Sequence, residues 1–252
     1  MKTQIEWPIA FFDDDYLRIY KPMLTPDRTE KEVEFIASSL GLPKGARVLD
    51  LACGFGRHAI GMAQRGYKVV GLDFNPNYLE IGEAQAREAH VEVEWREGDM
   101  RRLPFTSEFD GVYSFFTSFG YFSDVENEDV LAGVGRALEP GGCFLLDLMN
   151  RDWLLTHPPQ RTWTEREDGG LLMEEVSIDL PSSRVSSRQI LVEKSGDARP
   201  TKEYILRAYT CAELTALLAR HGLRVDKVVG SAEGIEYSTE SRRLIIIAHR
   251  RD

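Results

Sequence analysis

Cysteine is scarce in this chain: three residues, at positions 53, 143 and 211, in no paired spacing. So few thiols exclude a disulfide framework, and an odd, sparse set suits a reducing cytoplasm. The five histidines add no metal-ligand spacing to them, so no metal is expected. Basic excess is lacking too. Lys and Arg number 31 against 41 Asp and Glu, a formal charge of −10. Such a surface repels phosphate backbones unless a local basic face overrides it. The arginine pairs at 101–102, 242–243 and 250–251 are scattered and read as solvated, so nucleic acid is not an expected partner. No apolar run approaches the roughly 20 residues that span a bilayer, so no membrane partner is expected. The start turns polar and acidic by Asp13-Asp14-Asp15, which predicts no secretory signal and a cytoplasmic location. Hydrophobic content of 42% with 29% charged residues then leaves an ordinary soluble globular chain.

Along the chain, residues 1–45 read as a helical cap with an aromatic face of Phe11, Phe12, Tyr16, Leu17 and Tyr20. Thr29 and Glu32 have capping-box spacing and predict a helix that stops at Gly41. From Arg47 to Met149, short apolar runs alternate with helical patterns, which means βα units and a mainly parallel sheet. The rhythm changes between 161 and 209, where runs at 171–180, 184–194 and 202–209 read as an antiparallel insertion. A helix at 211–221 and two last strands, 223–229 and 244–248, close the chain as an antiparallel hairpin. The expected architecture is Rossmann-like and doubly wound, with a seven-stranded sheet whose last strand runs antiparallel. Its parts are a cap (1–45), a cofactor core (46–150), a β insertion (151–210) and a closing segment (211–252).

The informative stretch is Val48-Leu49-Asp50-Leu51-Ala52-Cys53-Gly54-Phe55-Gly56-Arg57-His58. A strand runs into two glycines and a helix. Glycine lets the backbone turn sharply and admits a ligand closely. The helix start presents unpaired N–H groups. Asp50 makes a poor neighbour for a pyrophosphate and a good one for a cationic nucleoside. Asp73 ends the second strand, about 20 residues on, where an acid accepts ribose hydroxyls. Asp99 and Met100 follow the third strand and suit the amine and face of an adenine. Ser114 to Phe122 form an aromatic loop on the same sheet edge.

These pieces closely resemble the class I S-adenosylmethionine-dependent methyltransferases. Asp50-x-Ala52-x-Gly54-x-Gly56 matches the family's glycine motif, with Ala52 where many members carry glycine. Asp73 matches its ribose-binding acid and Gly98-Asp99-Met100 its adenine segment. Phe109-Asp110 and Leu138-Glu139-Pro140-Gly141-Gly142 match two later landmarks. Gly-Arg-His at 56–58 and Ser-Phe-Gly-Tyr-Phe at 118–122 look like a bacterial small-molecule branch. The resemblance implies methyl transfer from S-adenosyl-L-methionine to an N, O or C atom of a small molecule, leaving S-adenosyl-L-homocysteine. It implies cofactor contacts from Asp50, Ala52, Gly54, Gly56, Asp73, Phe74, Asp99, Met100, Ser114 and Phe115. Tyr16, Tyr20, Arg57, Phe119 and Tyr121 are candidates for the acceptor pocket, and His58 and Tyr121 for proton transfer. Arg57 has two readings, a ligand carboxylate or an acid nearby.

Orientation alone lowers such a barrier by roughly 7–11 kcal/mol at best, so a general base is not obligatory. No Asn/Asp-Pro-Pro-Tyr/Phe motif follows the fourth strand and no Pro-Cys dipeptide occurs, which argues against DNA-base methylation. A dinucleotide oxidoreductase shares Gly54-x-Gly56 and Asp73 but leaves Asp50 and Asp99-Met100 unexplained. A sensor that binds the cofactor without chemistry is the other alternative. Exposed edge strands in the insertion predict a homodimer.

Overall fold

The computed structural model describes residues 11–157, 161–166, 168–199 and 202–251; the first ten residues of the expected cap lie outside these. Helix α1 spans Asp14–Tyr20 and is capped by the Asp13 carboxylate, which accepts the Asp15 and Tyr16 N–H groups. Helix α2 spans Pro26–Leu40 and ends at Gly41, as its left-handed φ of +62° requires. Its start corrects the capping-box expectation. Thr25, not Thr29, is the cap, accepting the Arg28 N–H at 3.3 Å. Pro26 fills the first turn, where its missing N–H costs nothing. Thr29 and Glu32 therefore lie inside the helix, free for other partners.

The core follows as β1 (Arg47–Leu51), α3 (Arg57–Gln64), β2 (Lys68–Asp73), α4 (Pro76–Glu88), β3 (Val93–Glu97), β4 (Phe109–Ser114), α5 (Asp124–Ala137) and β5 (Leu138–Met149). Then come α6 (Arg151–Thr156), β6 (Arg161–Glu165), β7 (Leu171–Asp179), β8 (Arg184–Val192) and β9 (Lys202–Arg207). Helix α7 (Cys211–Arg220) and strands β10 (Leu223–Val229) and β11 (Arg243–Arg250) close the chain. Seven strands form one sheet in the order β10-β11-β5-β4-β1-β2-β3. Strands β1 to β5 pair in parallel, while β11 runs antiparallel to both β5 and β10. The order reverses between β1 and β4, and ligands of open α/β sheets bind at such a switch point.

Two layers bury the sheet. One face packs on α2 and α3 through Val33, Ile36, Ala59 and Met62; the other packs on α5 and α7 through Val130, Leu131, Leu214 and Leu218. The insertion is a separate antiparallel sheet, β6-β7-β8-β9. It carries one strand, β6, more than the apolar runs announced, because Arg161–Glu165 is exposed throughout and has no buried face to betray it. Val176, Ile178, Val185, Tyr204 and Leu206 turn one face of this sheet onto Phe11, Tyr16, Tyr20 and Tyr121. That aromatic cluster ties the insertion to the N-terminal segment and to the loop after β4.

Candidate active site

The carboxyl ends of β1 to β4 open into one cleft. Its wall includes Ala52, Cys53 and Gly54 after β1, Asp73 and Phe74 after β2, and Asp99 and Met100 after β3. Phe115, Phe116, Thr117 and Tyr121 come from the loop after β4, and Tyr16 from α1. Asp73 shapes the turn opposite it. Its Oδ2 accepts the Gly54 N–H at 2.8 Å and its Oδ1 the Asn75 N–H at 2.9 Å. Each carboxylate oxygen has a second lone pair left for ribose hydroxyls. Burial raises the Asp73 carboxyl, and the Asn75 and Gly54 N–H groups oppose the rise. Asp99 is less free than its sequence position implies. Arg101 forks onto both its oxygens at 2.7–3.0 Å. Burial would raise its carboxyl, but Arg101 holds it below the ordinary range.

The two glycines divide their work. A side chain on Gly54 (φ +56°) would enter open space, so this residue leaves the cleft wall bare. Gly56 does not line the cleft. A Cβ there would lie 2.7 Å from Cζ3 of Trp95 and nearer still to Cη2, so Gly56 makes room for an indole. Asp50 and Ser114 also lie behind the wall, buried, and the Asp50 Oδ2 and Ser114 Oγ meet no hydrogen-bond partner. Burial pushes the Asp50 carboxyl up to about 7, against the pull of Arg57.

The acceptor candidates separate similarly. Tyr16, Arg57 and Tyr121 line the cleft. Tyr20 does not: it stacks on Tyr16 at 4.5 Å, and its hydroxyl accepts from the Gln189 amide at 2.7 Å. Phe119 turns into the core and packs on Tyr209 at 5.6 Å. Of the proton-transfer candidates, His58 lines the cleft with its Nε2 3.0 Å from Glu32. Burial and the charge of Arg57 push its imidazole down to about 4, so it is neutral. The Tyr121 phenol is raised well above its ordinary value by burial and stays protonated.

Two arrangements escaped the motif reading. Glu32, nearly fully buried, accepts from Arg28 Nε at 2.8 Å and from Arg57, which also donates to Thr29 Oγ1 at 3.2 Å. Burial would raise Glu32, but His58 and Arg57 hold it well below the usual carboxylate range. Its signal was an acid at helical spacing from Phe35 and Ile36, on an apolar face. Asp147 is the second, an acid in the apolar run Leu145-Leu146-Asp147-Leu148. It pairs with Arg243 at 2.6 Å and accepts the Phe116 N–H at 2.8 Å.

The chain is similar to known proteins over this same frame. A family model described as "Methyltransferase domain" matches residues 48–142. An uncharacterised protein of Mycobacterium tuberculosis (strain ATCC 25618 / H37Rv) is 30% identical over 210 residues, 77% of this chain and 73% of that one. The chain belongs to the class I S-adenosylmethionine-dependent methyltransferases. A cypemycin N-terminal methyltransferase of Streptomyces sp is 29% identical over 225 residues, 82% of this chain and 84% of that one. Among solved structures, the CcbJ methyltransferase of Streptomyces caelestis superposes with a TM-score of 0.84 at 21% identity, over 96% of this chain and 98% of that one. CalS10 of Micromonospora echinaspora, an amino pentose methyltransferase, gives 0.68 at 23% identity, over 94% and 97%. S-adenosylmethionine is accordingly the cofactor. Among the described residues no helix is long and apolar enough to cross a membrane, and no group of three or more His, Cys, Asp and Glu stands ready for a metal ion.

Proposed function

We propose that this methyltransferase acts on a small polar molecule, held in a second cleft that opens from the cofactor cleft. One observation carries the reading: the two clefts share Arg101, Tyr121 and Phe122. The second encloses about 890 Å³, within the size range of small-molecule sites. Glu126, Glu175 and Glu203 alternate there with Arg184 and Arg188, and Ser177 and Ser186 add hydroxyls. An acceptor rich in hydroxyl or amine groups suits that lining. The names of relatives point the same way, since one acts on an amino pentose and one on an N-terminus.

The cofactor fits the residues present. Asp73 would take the ribose, Asp99 and Met100 the adenine end, and the bare wall at Gly54 the thioether arm. When bound, the sulfonium supplies an already activated methyl group, so the reading needs no metal. The chain's own task is orientation and exclusion of water. Phe115, Phe116 and Tyr121 present rings to the cleft, and ring faces favour a nearby cationic carbon.

Calorimetry with S-adenosylmethionine, S-adenosylhomocysteine and NAD tests the cofactor, and labelled methyl transfer into fractionated small molecules tests the acceptor. Binding of the adenosyl pair alone, with label entering a polar small molecule, is the expected result. Label found only in protein or nucleic acid refutes the acceptor class. Binding with no transfer to any fraction favours a sensor.

A further inference from the structure

Glu174, on β7 of the inserted sheet, is an acid whose hydrogen-bond donors among the described residues are all neutral. It is half-buried, and its Oε1 accepts from Ser187 Oγ at 2.7 Å and from the Gln189 amide at 2.8 Å. The serine belongs to a chain of hydroxyls. Ser187 stands opposite Tyr204 in the β8–β9 pairing, and the two side chains are hydrogen-bonded. A hydroxyl has one proton to give. Ser187 gives its own to Glu174, so it accepts from Tyr204, and the Tyr204 oxygen keeps lone pairs for an incoming proton. Burial raises the Tyr204 phenol, so it stays protonated and can relay a proton but not store one. The placement suits an acceptor. Tyr204 and Ser187 both line the second cleft, with Glu174 behind them. Tyr204 packs edge-on against Tyr121 at 6.2 Å, and Tyr121 marks the junction with the cofactor cleft. An acceptor atom at that junction has the head of the hydroxyl chain one ring away.

We propose that Tyr204, Ser187 and Glu174 form the path by which the acceptor's proton leaves the second cleft. Tyr204 is the catalytic residue, because it meets the acceptor; Ser187 and Glu174 are positioning residues that act through it. The proposal rests on the small-molecule reading of that cleft. Methylation of an O–H or N–H group forms a bond from its lone pair to the methyl carbon and breaks the carbon–sulfur bond, whose pair returns to sulfur. One proton is then in excess on the acceptor atom. It passes to the Tyr204 oxygen as the tyrosine's own proton moves to Ser187 and the serine's to Glu174. The carboxylic acid so formed is half-buried and returns the proton to water.

The test measures turnover of the full chain with labelled S-adenosylmethionine and the polar small-molecule fraction that takes the label. Glu174→Gln keeps the shape and an oxygen for Ser187 but cannot take a proton. It should lower kcat by about 100-fold or more, with KM for S-adenosylmethionine within about twofold of wild type. Calorimetry with S-adenosylhomocysteine, unchanged within about twofold, shows that the variant is folded. Tyr204→Phe and Ser187→Ala should lose as much, and Tyr204→Phe combined with Glu174→Gln should be no worse than either alone, because one path is cut once. Ser187→Thr, which restores the hydroxyl, should recover most of what Ser187→Ala loses. Where Tyr204→Phe damages S-adenosylhomocysteine binding as well, Glu174→Gln decides. Wild-type turnover in Glu174→Gln, a loss confined to KM, or losses that multiply in the double variant overturn the proposal and leave the acceptor reading standing. Failure of wild type to label any small-molecule fraction overturns the acceptor reading itself, and the proposal with it.

Discussion

Gly56→Ala distinguishes a glycine kept for a ligand from one kept for packing. The backbone at Gly56 is left-handed (φ +77°), which costs an L-residue about 1–2 kcal/mol. The new methyl would also lie 2.7 Å from Cζ3 of Trp95. The indole also packs close over Gly71 and Gly82, where a Cβ would stand 3.0 Å and 2.8 Å from it. Overpacking of this kind costs about 1–3 kcal/mol, so the total is about 2–5 kcal/mol. Urea unfolding should show that loss, and thermal unfolding a fall of at least about 4 °C at this chain length. The decisive measurement is a cycle with Trp95→Leu. Removing the indole should leave only the backbone cost of about 1–2 kcal/mol, giving a coupling of at least about 1 kcal/mol. Penalties that add within about 0.5 kcal/mol would refute the steric argument. So would a variant as stable as wild type that merely loses the nucleoside.

His58 sets an acid limit on stability. With the folded imidazole at about 4 and an ordinary value near 6.5, the unfolded chain binds the proton first, so the contribution of His58 to stability falls by about 3 kcal/mol as pH drops from about 6.5 to about 4. The raised Asp50 carboxyl contributes the opposite slope over the same range, so the check is the difference between the two proteins: wild type should lose about 3 kcal/mol more than His58→Gln between about pH 6.5 and 4 in urea unfolding, and equal losses refute the assignment. Asp73→Ala strips the Gly54 and Asn75 N–H groups of their acceptor and should cost about 2–4 kcal/mol in urea unfolding. It should also weaken S-adenosylhomocysteine by more than about tenfold in calorimetry, and wild-type affinity would remove Asp73 from the site. Asp147→Asn leaves Arg243 without its buried carboxylate and should cost about 3–5 kcal/mol, whereas a loss under 1 kcal/mol means the pair is not a unit.

The nucleoside end was legible because its signals are local. A strand, two glycines and a helix start occupy eleven consecutive residues, and Asp73 and Asp99 each follow a β run. What stayed hidden depends on contacts between distant elements. Trp95 decides the role of Gly56 from 39 positions away, and no pattern within the glycine motif announces it. The aromatic loop after β4 offered five rings with no rule for which face inward. Phe115 and Phe116 line the cleft while Phe119 enters the core, because φ is positive at Phe116 (+73°) and Thr117 (+60°). Non-glycine residues rarely adopt that region, and nothing in Phe-Thr foretells it. Tyr16 and Tyr20 share a helix face, yet only Tyr16 reaches the cleft, since Gln189 of the inserted sheet claims the other hydroxyl.

That strained pair also explains an acid placed in the middle of the sheet. Two adjacent left-handed residues cost about 1–3 kcal/mol each and persist only where the surroundings over-determine them. Here Asp147 accepts the Phe116 N–H at its side chain and the Thr117 N–H at its carbonyl, at 2.8 and 3.1 Å. Arg243 neutralises the carboxylate through Nε and Nη2 and donates to Thr117 Oγ1 at 2.8 Å. Asp147 lies on β5 and Arg243 on β11, the half of the sheet that contributes no wall to the nucleoside end of the cleft. These two strands therefore act at a distance, by fixing the loop that carries Phe115 and Phe116 into the cofactor cleft and Tyr121 to the junction of the two clefts. With Phe116 held in the cleft wall, its ring meets Arg57 at 5.6 Å and Arg28 at 5.0 Å, so the clamp on β5 and β11 holds the backbone of the same residue whose ring packs on the Glu32 cluster.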